Sequence, residues 1–168
     1  REQTESLLAT LRQRMPGLVL RTTLITGFPG ETEDQFEELV DFVREQKFER
    51  LGVFTYSPEP DTPSLNLPEH LSDEIKSTRR DRLMEVQQEI AFAWNRDQIG
   101  KQTQVILDAP VPDESDVWYG RSPADAPDVD SVVYVTEGEE PLQAGDITSC
   151  EIVATSDYDL VGVALGSG

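Results

Sequence analysis

Two short segments carry the residue types that a ligand site needs. Gly27-Phe28-Pro29-Gly30-Glu31 follows an apolar, β-branched run and precedes a helical pattern, so it falls at the carboxyl end of a strand. Sites in parallel sheets and barrels lie at that edge. Glycines there let backbone approach a ligand closely, and the next helix offers free N–H groups. The same residues also make a plain, tight strand-to-helix turn. They lack the Gly-Lys-Ser/Thr of a phosphate loop and the spacing of a dinucleotide fingerprint. Tyr56-Ser57-Pro58 closes the next β-like run at the same edge, where a tyrosine either meets a ligand or caps the core.

Other reactive side chains point to packing rather than chemistry. The single cysteine, Cys150, lies in a β-like run and reads as a small buried hydrophobe. It excludes an internal disulfide and a multi-cysteine metal site, and it fits a reducing, cytoplasmic setting. His70 has no cysteine or second histidine near it and reads as a surface residue. Asp125, Asp128 and Asp130 hint at calcium but lack the glycine and distal glutamate of an EF-hand loop. Trp94 and Trp118 read as packing residues, and the Glu37-Glu38 and Glu139-Glu140 pairs as solvated faces.

The elements that must position these residues follow from periodicity. Thr4 is expected to cap a helix carrying Leu7, Leu8 and Leu11, stopped by Pro16-Gly17. Residues 18–26 read as a strand covered on both faces, as in a parallel sheet. Thr32 with Gln35 three places on makes a capping box, and Phe36, Leu39, Val40 and Val43 follow at helical core spacing. Residues 51–56 form a second strand, which completes a right-handed βαβ unit. Pro58, Pro60, Pro63 and Pro68 make residues 58–70 an irregular arm. Ser72 then caps a long helix with Asp73 and Glu74 at its positive end. Ile75, Leu83, Val86, Ile90 and Trp94 form its stripe, and Gly100 ends it. Short β-like runs at 103–107, 131–136, 147–153 and 160–165 then suggest a small barrel or sandwich. Two strands with their helices cannot close a barrel, so the first part is expected to be a piece completed by upstream chain. The start, Arg1-Glu2-Gln3-Thr4, fits a piece cut from a longer protein.

The chain has 168 residues, with 14 Lys plus Arg against 33 Asp plus Glu and a net charge of −19. This argues against binding nucleic acid or anionic lipid through a basic surface. No apolar run reaches the length of a membrane span. The imbalance is concentrated: residues 100–168 hold 14 acidic residues and two basic ones, Lys101 and Arg121.

The run Arg21-Thr22-Thr23-Leu24-Ile25-Thr26-Gly27-Phe28-Pro29-Gly30-Glu31-Thr32-Glu33 resembles the fifth barrel strand and loop of radical-SAM methylthiotransferases. Val53-Phe54-Thr55-Tyr56-Ser57-Pro58-Glu59 is similar to their sixth strand. Gly120-Arg121-Ser122, Asp125-Ala126-Pro127, Val129-Asp130 and Tyr158-Asp159-Leu160-Val161-Gly162 resemble the RimO-type branch. That branch methylthiolates the β carbon of an aspartate on the twelfth small-subunit ribosomal protein. The resemblance covers about residues 1–164. It implies an α/β plus all-β fold. Residues 1–63 are the C-terminal part of a partial (β/α) radical-SAM barrel, and residues 64–99 a proline-rich arm and connecting helix. Residues 100–164 are a small five-stranded TRAM-type β-barrel, and 165–168 a tail.

The resemblance also implies S-adenosylmethionine and two [4Fe–4S] clusters on six cysteines. With one cysteine here, the cluster ligands belong to upstream domains, and this chain alone is expected to be inactive. Ile25, Thr26 and Gly27 are expected near the adenosine half of the cofactor, with Tyr56 and Ser57 at the neighbouring strand end. The family commonly has Gly-Thr where this chain has Asp61-Thr62, and glycine where it has Ser131. A turn wanting positive φ tolerates Asp less easily than Gly.

The acidic final third repels RNA and suits a basic ribosomal protein. Asp113, Glu114, Asp116, Asp125 and Asp128 are the expected docking residues, because they cluster in the longest stretch between expected strands. The alternatives are a transfer-RNA adenosine methylthiotransferase, for which basic TRAM residues are expected, and a stand-alone acidic interaction module.

Overall fold

In the computed structural model, which describes residues 1–138 and 140–166, the capping box at Thr32 forms as expected. The Thr32 hydroxyl accepts from the Gln35 N–H at 3.3 Å, and the Gln35 side chain accepts from the Thr32 N–H at 3.1 Å. Two of the helix's orphan donors are thereby satisfied. The first part of the chain runs α1 (Glu2–Arg14), β1 (Arg21–Thr26), α2 (Glu33–Gln46) and β2 (Arg50–Thr55), followed by a 3₁₀ turn (Pro63–Asn66) and α3 (Asp73–Arg96). The Ser72 hydroxyl accepts from the Ile75 N–H at 3.3 Å and starts α3 where expected.

The strands β1 and β2 pair in parallel, with Leu24 opposite Val53 and Ile25 opposite Phe54. The face carrying Leu24, Leu51 and Val53 meets Phe36, Val40 and Val43 of α2 and Leu83 and Val86 of α3 in one core. The other face is open: Ile25 is 60 % exposed and Phe54 62 %. A near-continuous apolar strand is therefore covered on one side rather than both, because the helices of this part all contribute to a single core. Two other expectations are corrected. The helix α1 starts at Glu2 with Arg1 at its cap position and no side-chain cap, so Thr4 lies inside it. Its Leu8 joins the core, whereas Leu7 is largely exposed. Ile75, in the first turn of α3, also faces solvent, although it lies about three turns before Val86 on the same side of the helix.

The chain divides into two compact units, Arg1–Ala91 and Phe92–Gly168, with the boundary inside α3. In the second unit, β3 (Gln102–Pro110), β4 (Val117–Arg121), β5 (Val133–Thr136), β6 (Ile147–Ser156) and β7 (Asp159–Ala164) close a barrel in the order β3-β4-β5-β7-β6. Only the β5–β7 pairing is parallel. Closure removes the unpaired edges that an open sheet would present. Val105, Leu107, Val133, Val135, Cys150, Ile152, Leu160 and Ala164 alternate inward to fill it. Glu139 of the Glu139-Glu140 pair and the last two residues of the 165–168 tail lie outside the described residues.

The strand β4 divides the long connection expected between residues 107 and 131. Its Gly120 has no β propensity, which hides the strand in the sequence. Tertiary crowding explains the glycine: a Cβ there would lie 2.4 Å from Val105 Cγ1 and 2.8 Å from the Ile106 carbonyl oxygen. Gly120→Ala is therefore expected to destabilise the barrel by about 1–3 kcal/mol through overpacking. Urea unfolding followed by Trp118 fluorescence measures this, and an unchanged midpoint would contradict the crowding.

Candidate functional site

At the carboxyl edge of β1 and β2 the chain builds a charged latch. Glu31 Oε1 accepts from the Gly27 N–H at 3.0 Å, from the Thr26 hydroxyl at 3.2 Å and from Arg79 Nη1 at 2.5 Å. Arg79 also donates to the Glu31 carbonyl oxygen at 3.0 Å and to Glu33 at 2.9 Å. Both main partners are well buried, at 7 % exposure for the Arg79 side chain and 13 % for Glu31. Charge-assisted bonds among partners this buried fix the turn's geometry. Gly27 has φ +80°, and a Cβ on it would lie 2.5 Å from Lys76 Cγ. The glycine thus admits the stem of a lysine from α3. Lys76 Nζ lies 3.1 Å from Asp73 and 5.8 Å from the centre of the Tyr56 ring.

Tyr56 joins the two strand ends. Its N–H donates to the Thr26 carbonyl oxygen at 2.8 Å, and its ring meets Phe28 edge-on at 5.2 Å. His70, exposed as expected, tilts against the same ring at 5.9 Å. The Tyr56 hydroxyl is buried without a hydrogen-bond partner. A cavity of about 570 Å³ opens at these strand ends, lined by Ile25, Phe28, Thr55, Tyr56, Ser57, Glu59, Thr62 and Ser64. Three of the five residues expected near a cofactor, Ile25, Tyr56 and Ser57, line this cavity. Thr26 is fully buried, and it and Gly27 direct their donors to Glu31. Sequence spacing signals neither Lys76 nor Arg79, which lie on a helix more than 40 residues beyond the loop they hold. In the adjoining arm, Asp61 adopts φ +65°, the left-handed conformation for which glycine is the usual solution.

The five acidic residues expected to dock a partner fall in two loops, because β4 separates them. Asp113, Glu114 and Asp116 are exposed in the β3–β4 connection, and Asp125 and Asp128 lie between β4 and β5. Asp125 closes its own loop: Oδ2 accepts from the Ser122 hydroxyl at 2.6 Å and from the Ser122 N–H at 3.1 Å. Asp130 does the same for the Ala126 N–H at 2.6 Å. These bonds give Asp125 and Asp130 the role of closing their own loop. Among the described residues no group of three or more His, Cys, Asp or Glu side chains is arranged to hold a metal ion. Arg121 forms a two-pronged pair with Asp108, at 2.8 Å on each side, and its hydrogen bonds hold that carboxyl below the usual range.

Cys150 is fully buried in the barrel core, and desolvation pushes its thiol up to about 11. The native thiol therefore stays protonated and unreactive at pH 8. Iodoacetamide at that pH is expected to label Cys150 only after denaturation; labelling of the folded chain, read by mass spectrometry, would contradict this. The raised value also means that burial of the thiol favours folding below the ordinary thiol pKa. That contribution is lost as pH rises from about 9 to about 11. Among the described residues no helix is long and apolar enough to cross a membrane.

Residues 99–165 match the TRAM domain family. Nearly the whole chain is similar to proteins named ribosomal protein uS12 methylthiotransferase RimO. The protein of that name from Anaeromyxobacter sp. (strain Fw109-5) is 46 % identical over 156 residues, covering 93 % of this chain and 33 % of the relative. The one from Clostridioides difficile (strain 630) is 46 % identical over 155 residues, covering 92 % and 34 %. The one from Thermosynechococcus vestitus is 48 % identical over 159 residues, covering 95 % and 35 %. The chain spans about a third of the length of these relatives. On the TRAM match and these identities, residues 99–165 carry a TRAM domain, and nearly the whole chain is similar to about a third of the length of RimO-named methylthiotransferases.

Proposed function

We propose that this chain is the C-terminal part of a cytoplasmic radical-SAM enzyme that adds a methylthio group to the β carbon of an aspartate on ribosomal protein uS12. In this reading the barrel docks the protein substrate and the β1–β2 edge walls part of the cofactor site. The observation that carries the docking role is the charge of residues 100–168, 14 acidic residues against Lys101 and Arg121. A ribosomal protein is strongly basic, whereas phosphate contacts, which dominate affinity for RNA, need basic surface. Acidic loops on a rigid barrel steer a basic partner and repel a nucleic acid.

The lining of the cavity fits the adenosine half of S-adenosylmethionine. Ile25 and Phe28 offer apolar faces for a base, and Ser57, Thr62, Ser64 and Glu59 offer polar groups for a ribose. When bound with its clusters, the cofactor supplies the radical chemistry; this chain's residues would bind and orient it. The Glu31–Arg79 latch would hold the turn beside it in one conformation. The cluster ligands would come from outside this chain, whose one cysteine is buried.

Association kinetics test the docking role. Asp113→Asn, Glu114→Gln, Asp116→Asn and Asp128→Asn together are expected to slow association with purified uS12 about tenfold at low salt. High salt should erase the difference. Asp125 is left in place because its carboxylate closes the loop. Unchanged association, or tight, salt-sensitive binding of transfer RNA by the unmodified chain, would move the assignment to the RNA-modifying branch.

A further inference from the structure

The barrel has an aromatic row on its outside that its core does not need. Gly120, Val133, Val135, Leu160 and Gly162 are buried, so alternation along β4, β5 and β7 turns Tyr119, Tyr134 and Val161 outward. Register places them side by side: Tyr119 opposite Tyr134, and Tyr134 opposite Val161. The next outward row is Val117, Thr136 and Val163. The two tyrosine rings lie 5.4 Å apart at 53° and are half-buried, while Val163 is 36 % exposed. The result is an apolar strip across three strands with two aromatic rings at its centre.

The charges beside this strip are the carboxylate of Asp159 and the mutually compensated Asp108–Arg121 pair. Asp159 begins β7, and it lies close enough to Tyr134 to help burial raise the phenol's pKa. Arg121, which follows Tyr119 on the same outward side, is tied to Asp108 in its two-pronged pair. The other basic residue after position 100, Lys101, precedes β3. A tyrosine face attracts a cation by about 0.5–1 kcal/mol when exposed and about 2 kcal/mol when desolvated. Long basic side chains also lay their aliphatic stems on apolar surface while keeping the charge at its rim. Nucleic-acid bases stack on tyrosines too, but the strand's phosphates would meet a unit whose residues 100–168 hold 14 acidic residues against two basic ones.

We infer that the outer face of β4, β5 and β7, centred on Tyr119 and Tyr134, is the surface on which a lysine- and arginine-rich polypeptide segment docks, its cationic side chains lying on the tyrosine rings. This rests on the proposed docking role of the barrel and adds where on the barrel the substrate protein sits. The acidic loops govern the rate of encounter, whereas this strip governs how long the complex lasts.

The test measures binding of purified uS12 to the full chain and to two double variants. Tyr119→Leu with Tyr134→Leu keeps apolar bulk and loses the ring faces; Tyr119→Phe with Tyr134→Phe keeps the rings. The leucine pair is expected to lose about tenfold or more in affinity, mainly through faster dissociation that persists at high salt. The phenylalanine pair is expected to stay within about threefold of the unmodified chain. A second readout needs no variant: uS12 should protect Tyr119 and Tyr134 from nitration while leaving Tyr158, 39 % exposed, as the unprotected reference. If uS12 binds the unmodified chain but protects neither tyrosine, or binds the leucine pair equally well, the face is wrong while the docking role stands. If uS12 does not bind the unmodified chain at all, both fail. Transfer RNA binding that is lost in the leucine pair would overturn the inference in favour of a nucleic-acid surface.

Discussion

Arg79→Met is expected to lower the stability of the first unit by about 3–5 kcal/mol, the cost of removing one partner from a buried ion pair. Methionine matches the arginine stem in length, so little packing is lost. What remains is Glu31, 13 % exposed, with its charge no longer compensated and only the Thr26 hydroxyl and Gly27 N–H to solvate it. Arg79→Lys keeps the charge but not the fork that reaches both Glu31 and Glu33, so it should fall between. Amide exchange in urea resolves the effect by element: β1 and α2 should lose protection, and the Gly27 amide should open first. A loss below about 1 kcal/mol would mean that the pair behaves as an exposed one. Because the latch holds the Gly27 turn, the same variant should also weaken S-adenosylmethionine binding in the full-length enzyme on the proposed reading. Calorimetry measures that independently of turnover.

Phe36→Ala is expected to cost about 3–5 kcal/mol, in the range for a large side chain deleted from a packed core. Phe36 is 1 % exposed and sits where α2 meets the sheet and α3. Its ring also lies under two guanidinium groups, 5.1 Å from Arg79 and 5.6 Å from Arg82. Arg82 is held over it by a two-pronged pair with Glu37, whose second bond is 2.8 Å. The loss should therefore exceed that of an apolar cavity alone. The two substitutions should also couple: combined with Arg79→Met, the effects should depart from additivity by about 0.5–3 kcal/mol, as for residues in direct contact. Additivity within a few tenths of a kcal/mol in urea titrations of the four-member cycle would show that the ring and the latch are independent.

The features legible in the sequence were those whose physics is local. Thr32 and Gln35 declare a helix start because the two bonds they make span three residues. Ser72 does the same for α3. The barrel core was readable from alternation at Val105 and Leu107, Val133 and Val135, and Cys150 and Ile152, since a strand's side-chain period is two. Charge was readable from composition, and it already set the acidic final third apart from the rest. The positive φ of Asp61, at +65°, was signalled only by the resemblance, through the glycine common at that position.

Tertiary structure decided what depended on residues far apart in the chain. Gly120 makes a strand only because its missing side chain leaves room for Val105 and Ile106. That strand divides the acidic stretch into two loops, and Asp125 turns inward to hold one of them. The tyrosine row exists only through the register of β4 on β5. At the sheet edge, Glu31 selects Arg79, 48 residues onward, from the many arginines the chain offers. Spacing along a sequence carries no information about such a pair, because its stabilisation comes from burial, and burial is set only when the helix has docked.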